Sequence, residues 1–138
     1  MAERAVIKAY WAYHQFVLAD GVVAEKGKLA CIDTTDGSVT KGATSATLIP
    51  LGLFAESLTG DGELLVNVEL FEEIVARWWV NDTVAPVTAD LLGQICFIKD
   101  DQTVTADDTG ASPLGMILAV DTAKGVLVHS RYPFVPAA

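Results

Sequence analysis

The chain has 138 residues, one domain's worth and enough to bury a core. With 51% hydrophobic and 20% charged residues it is globular rather than disordered. The 18 acidic against 9 basic residues give a net charge of −9, the wrong sign for neutralising nucleic-acid phosphates or binding anionic membranes.

The opening, "MAERAVIKAYWAYHQ", does not read as a signal peptide, because charge and large aromatics interrupt it. No apolar run approaches a membrane span. Tyr10, Trp11, Tyr13 and Phe16 crowd into one short stretch. Such a cluster suits either a core strand or a contact arm, since Trp and Tyr are favoured interface anchors. A break follows at Asp20-Gly21. We therefore divide the chain into an N-terminal arm, residues 1–20, and a β-rich body, residues 21–138.

The body is punctuated by Gly, Asp and Pro at short intervals between runs rich in Val, Ile, Thr and aromatics. That pattern predicts a mainly β fold, a small sandwich or barrel. Strands are expected near 13–18, 29–33, 38–41, 51–56, 64–70, 73–80, 94–99, 103–105, 115–121 and 125–130. "CIDTTDGSVTKG", residues 31–42, carries Asp33 and Asp36 ahead of Gly37. A calcium loop would need alternating oxygen ligands and a closing bidentate Glu, and residues 33–44 hold no Glu. The stretch reads as a hairpin turn, with Asp bonding local backbone and Gly accepting positive φ.

Residues 63–80, "ELLVNVELFEEIVARWWV", send two signals. Leu64, Val68, Phe71, Val75 and Trp78 form a helical stripe, while "LVNVEL" alternates and β-branched residues abound. We take the segment as strands. "VTADLLGQ" predicts about one turn of helix, with Thr88 as cap, Asp90 in the first turn and Gly93 at the close.

A phrase recurs. "GKLACIDTTDGSVT" followed by "ATLIPLGLFAES" is answered by "GQICFIKDDQTVT" followed by "GASPLGMILAVD". Each copy runs through Gly, an apolar run, a polar patch, Val-Thr and Pro-Leu-Gly. The copies lie roughly sixty-odd residues apart, well beyond solenoid periods. Asp33 and Asp36 fall opposite Lys99 and Gln102, so the acidic positions are not kept. The two Pro-Leu-Gly triplets are expected to be turns, with Pro fixing φ and Gly opening the next strand.

Catalytic signatures are missing: no GxSxG elbow, no HExxH and no phosphate loop occurs. His129 and Ser130 are neighbours on an expected strand and point to opposite faces. Glu72-Glu73 and Asp107-Asp108 read as solvated charge. Cys31 and Cys96 have apolar flanks and lack CxxC spacing, so buried free thiols are expected rather than a zinc site. The chain is expected to be no enzyme, with no cofactor and no metal.

The Gly–strand–turn–Val-Thr–Pro-Leu-Gly phrase, together with "ARWWVNDTVAPVTADLLGQICFIKDDQTVT" and "PLGMILAVDTAKGVLV", resembles the capsid decoration, or cement, proteins of tailed bacteriophages. The resemblance spans roughly residues 20–130. It implies a β-rich homotrimer made in the host cytoplasm and bound to the outer surface of the virion head. There it would bridge major capsid protein subunits and brace the shell, without touching nucleic acid or membrane. The first twenty residues lie outside the resemblance; read as a contact arm from their aromatics, Tyr10, Trp11, Tyr13 and Phe16 are expected to contact the capsid or a sister subunit. The alternative is a tail or baseplate component, or a carbohydrate-binding β module in which Trp78 or Trp79 stacks on sugar.

Overall fold

The computed structural model describes residues 13–71, 74 and 76–130. Its strands in chain order are β1 (Tyr13–Val17), β2 (Val23–Ala24), β3 (Leu29–Asp33), β4 (Val39–Lys41), β5 (Leu48–Phe54), β6 (Leu58–Thr59), β7 (Leu65–Leu70), β8 (Arg77–Asn81), β9 (Ile95–Ile98), β10 (Thr103–Thr105), β11 (Pro113–Asp121) and β12 (Gly125–His129). A single 3-10 turn, Ala89–Leu91, stands where one helical turn was expected. Thr88 precedes it but makes no side-chain cap; its hydroxyl bonds the Asp90 carboxylate instead. The fold is mainly β. The ambiguous segment resolves into β7 and β8, so its helical stripe was fortuitous.

Ten of the twelve strands fall into two sets of five with one connectivity, and β2 and β6 pair with each other. β1-β7-β5-β3-β4 form a sheet, and β10-β8-β12-β11-β9 form a closed barrel. Taken in chain order, β1, β3, β4, β5 and β7 match β8, β9, β10, β11 and β12. The barrel closes through a parallel pairing of β10 with β8. The first set makes the same closure by one parallel bridge, Leu18 to Val39. Registers agree as well. Phe16 faces Val66, as Trp79 faces Val126. The Ala19 N–H donates to the Val39 carbonyl at 2.9 Å, as the Asp82 N–H donates to that of Val104 at 2.9 Å. The chain is a tandem pair of small barrel-like units, and the repeat seen from Gly27 begins earlier, at β1.

Two expectations need correction. The Pro-Leu-Gly triplets are not turns. They lie within β5 and at the start of β11, each at a β-bulge. Cys31 pairs with Pro50 and Ala30 with Gly52, passing over Leu51; Phe97 pairs with Pro113 and Cys96 with Gly115, passing over Leu114. Proline, lacking an N–H, is tolerated in a sheet at such a bulge. The extra Leu turns inward, fully buried at Leu114 and packed against the first unit's core at Leu51. Glycine is needed for closeness rather than for a turn. A Cβ on Gly52 would stand 2.0 Å from the Glu69 carbonyl oxygen, and one on Gly115 would stand 2.4 Å from that of His129.

The second correction concerns the arm. Residues 13–17 are a full strand paired with β7, and Leu18 is completely buried. That part of residues 1–20 is wall of the first unit. Residues 1–12 lie outside the described residues.

The core has two centres. Leu18, Ala24, Ala30, Val39, Phe54, Val66 and Val68 fill the first unit. Trp79, Cys96, Ile98, Val104, Leu114, Ile117 and Val126 fill the second, joined by Leu29, Cys31 and Leu48 from the first. β3 explains the sharing. Successive side chains point to opposite faces, so Ala30 enters its own unit while Leu29 and Cys31 enter the seam. Polar bonds tie the seam together. The Leu29 N–H donates to the Asp101 carbonyl at 2.8 Å, the Arg77 guanidinium to Gly27 O at 2.9 Å, and the Ser112 hydroxyl to Ser45 O at 2.5 Å.

Candidate docking surface

Of the four aromatic residues expected at an interface, Tyr10 and Trp11 lie outside the described residues. Tyr13 starts β1, opposite Glu69. Phe16 is partly buried against the first unit's core. The structure thus places Phe16 in the wall, on the strand into which the aromatic segment runs. His14 stands beside it, with ring centroids 6.5 Å apart. The same two positions of the second unit hold Arg77 over the Trp79 ring, 4.0 Å from its centroid.

Beyond Phe16 the strand presents apolar residues to solvent. Val17 is 41% exposed and pairs directly with Leu65, itself 49% exposed. Leu64 follows beside them, its carbonyl accepting from the Leu18 N–H at 3.0 Å. Three exposed aliphatics, two of them a direct cross-strand pair, are less ordinary than single ones. Sequence patterning missed this patch, because "ELLVNV" reads as an ordinary alternating strand until its pairing with β1 is known.

The acidic turns use their own oxygens. Asp33 Oδ1 accepts from the Thr35 N–H at 3.0 Å, the Thr35 hydroxyl at 2.8 Å and the Thr47 hydroxyl at 3.0 Å. Those bonds, the Thr35 backbone N–H foremost, hold its carboxyl below the usual range. Asp36 accepts from the Ser38 N–H and hydroxyl, and Gly37 takes φ +77°. "TTDGS" is a hairpin turn. Among the described residues, no group of three or more His, Cys, Asp or Glu is placed to hold a metal ion.

The second unit carries one buried polar knot. Asp82 is 5% exposed and accepts from Lys99 Nζ at 2.5 Å, the Val84 N–H at 3.0 Å, the Ala85 N–H at 3.2 Å and the Thr105 hydroxyl at 2.9 Å. The Lys99 ammonium, first among these, holds the Asp82 carboxyl well below the usual carboxylate range. Every carboxylate oxygen is engaged, so the knot pins β8's exit to β9 and β10 and leaves no free base. Cys31 and Cys96 are both fully buried and free, and burial pushes both thiols up, that of Cys96 to about 12. Such thiols are inert. His129 is half-buried and Ser130 buried, as opposite faces of a strand require.

Trp78 and Trp79 also split faces. Trp79 is 1% exposed, and its indole N–H has no partner. Trp78 is partly exposed, with Lys124 Nζ 5.5 Å from its ring centroid. Only Trp78 remains for stacking on a ligand, and a cation already lies over it. Near it, a groove of about 530 Å³ is lined by Val80, Asn81, Val87, Thr88, Asp121 and Lys124 among others. Val80 is 51% exposed.

Compared with known proteins, the chain matches no protein-family model, no curated protein and no solved structure.

Proposed function

We propose that this chain is a capsid decoration protein. It binds the outer surface of a tailed-phage head as a homotrimer and braces the shell by bridging major capsid protein subunits. The observation that carries the reading is β1. Aromatic residues crowd the sequence just ahead of and within a strand held in register by β7, beside the exposed Val17, Leu64 and Leu65. Force taken up by the aromatics passes directly into a doubled β body with two cores. Large aromatic anchors flanked by aliphatics are what a protein interface is built from. The acidic surface keeps such a protein from adhering to packaged or free nucleic acid. The role requires neither catalysis nor a cofactor.

The test is to mix purified chain with undecorated heads and image them by electron microscopy after sedimentation. Added density at threefold or quasi-threefold positions on the head supports the reading. Density confined to tail or baseplate supports the alternative placement instead, and absence of binding to any part of the particle removes the reading. A glycan array separates out the carbohydrate-binding alternative, for which the half-exposed Trp78 is the sole aromatic platform of the pair.

A further inference from the structure

The two units differ at one place where a surface is covered in the first and open in the second. In the first unit β5 ends at Phe54, the chain runs on through "AES", residues 55–57, and the turn before β7 is built on Asp61. Its carboxylate accepts from the Glu63 and Leu64 N–H groups at 2.8 Å each. In the second unit β11 ends in "ILAV", residues 117–120, and the turn before β12 is built on Asp121. Its carboxylate accepts from the Ala123 and Lys124 N–H groups at 2.7 and 2.9 Å. The turns correspond, but the first unit has Leu58, Thr59 and Gly60 inserted ahead of its Asp. That insertion is β6. It pairs with β2 through Val23–Thr59 and Ala24–Leu58, and Leu58 packs against the first core.

The second unit has nothing in the place of Leu58–Gly60. Val87 matches Ala24, both fully buried, and its backbone is held by the Asn81 side chain, Nδ2 to Val87 O at 2.9 Å and Val87 N to Oδ1 at 2.8 Å. Asn81 spares the backbone the need for a β6 partner but does not fill the space. What remains is the groove over Val80, Asn81 and Val87, about 530 Å³, a volume typical of sites that bury a ligand's apolar surface.

We propose that this groove receives the N-terminal segment of a second copy of the chain, with Trp11 as its anchor and Tyr10 beside it. Residues 1–12 supply the chemistry the groove lacks: two aromatics with Val6 and Ile7, carrying Arg4 and Lys8 against Glu3. The receiving unit as a whole, residues 77–130, has seven Asp against Arg77, Lys99 and Lys124 and so attracts a net basic segment at longer range, while the groove's own lining carries one acid and one base, Asp121 and Lys124. The described chain begins on a different strand from the groove. Tyr13 lies opposite Glu69 on β7, whereas the groove lies at the C-terminal end of β8, at Val80 and Asn81. A donor segment and an acceptor groove on different strands make a heterologous contact, which closes into a ring when the rotation permits. The inference deepens the function proposed above and rests on it for the assembly of like copies.

The experiment uses the full chain with Ala9→Cys, which keeps Tyr10 and Trp11, and Ala123→Cys, on the exposed rim of the groove, together, treated with a short bismaleimide and run on a denaturing gel. The native Cys31 and Cys96 are buried and unreactive. Expected are covalent dimers and trimers, absent when Ala9→Cys is combined with Ile49→Cys, an exposed position elsewhere (40% exposed), and lost when Trp11→Ala is added to the linking pair. Monomer alone, a link within one chain, or equal linking to Ile49→Cys overturns the inference. Circular dichroism of each variant confirms that the fold is kept. Head binding of the untreated chain is measured separately. A chain that links between copies yet ignores heads upholds this inference and removes the capsid role. One that binds heads without linking does the reverse.

Discussion

The two units are one topology closed in two ways. The second unit is sealed by polar chemistry: β10 lies parallel to β8, and Asp82 ties Lys99, Thr105 and two backbone N–H groups into one knot. The first has Ala19 where the second has Asp82 and Asp33 where it has Lys99. It is sealed instead by a single bridge at Leu18 and by the β2–β6 pair with Leu58 beneath it. A polar knot leaves the neighbouring apolar wall open, and an apolar cover hides it. A duplicated fold can in this way dedicate one copy to being closed and the other to receiving something, without changing a strand.

The strongest way to break the comparison is to remove the closing strand from one unit. Deletion of residues 1–18 takes away β1 and the buried Leu18, leaves β7 unpaired on one side, and exposes Val66 and Val68. We expect loss of the native near-ultraviolet spectrum and of a single cooperative urea transition. Deletion of residues 1–12 spares β1 and should keep a single cooperative transition, while removing the contact between copies proposed above. A truncation at residue 18 that still unfolds cooperatively would show that β1 is dispensable and restore the longer arm.

The next largest effect compares the matched aromatics. Trp79 is fully buried and lies under the Arg77 guanidinium, which burial inclines toward losing its proton. Trp79→Ala should cost about 3–5 kcal/mol in urea unfolding. Phe16 is partly exposed, and Phe16→Ala should cost only about 1–2 kcal/mol. Equal losses would mean that Phe16 is as much a core residue as its counterpart.

Much of this architecture was legible, and what was not has identifiable causes. The Gly-to-Pro-Leu-Gly phrase marked β3–β5 and β9–β11 because those strands carry Gly and Pro at matched bulges. The repeat's first strand escaped notice because "YHQFV" and "RWWVN" share only Val17 and Val80; the register equates residues whose types differ. Pro50-Leu51-Gly52 read as a turn because Pro and Gly punctuate turns far more often than bulges, and only the Glu69 carbonyl oxygen, 2.0 Å from where a Cβ on Gly52 would stand, shows why Gly is there. The strands β2 and β6 are two residues each, too short for any period. The groove was illegible for a deeper reason. It consists of three residues that one unit has and the other lacks, which matters only once the units are superposed.

A smaller effect separates the two closures by pH. The folded Asp82 carboxyl sits below its unfolded value, so its stabilising contribution is complete above about pH 4 and is lost as pH falls through the folded value. Asp33, Asp61, Asp107 and Asp121 are also lowered, chiefly by backbone N–H bonds, and act in the same direction. Asp101 acts in the opposite direction, because burial raises its carboxyl. Asp82→Asn should lower the melting temperature at neutral pH and shrink the acid-induced fall without abolishing it. A parallel displacement of the whole curve, with no change of slope below pH 4, would remove Asp82 from the account.

The smallest effect is an expected null, and it tests whether the turns differ in kind. Asp33, in the first unit, stands opposite Lys99 in the second, and that change could mark an ion site in one unit alone. The geometry speaks for turn chemistry. Asp33 Oδ1 already accepts three protein donors, and both Asp36 bonds run to Ser38 within the same loop. Calcium takes six to eight oxygens, and a loop that spends its carboxylates on its own N–H and O–H groups would have to break those bonds to supply them. A ligand that binds only the native state raises its stability in proportion to the logarithm of its concentration over Kd. Melts in millimolar calcium and in chelator should therefore coincide. A rise of several degrees with calcium, lost in Asp33→Asn but kept in Asp121→Asn, would establish a site confined to the first unit and make the acidic difference between the copies functional.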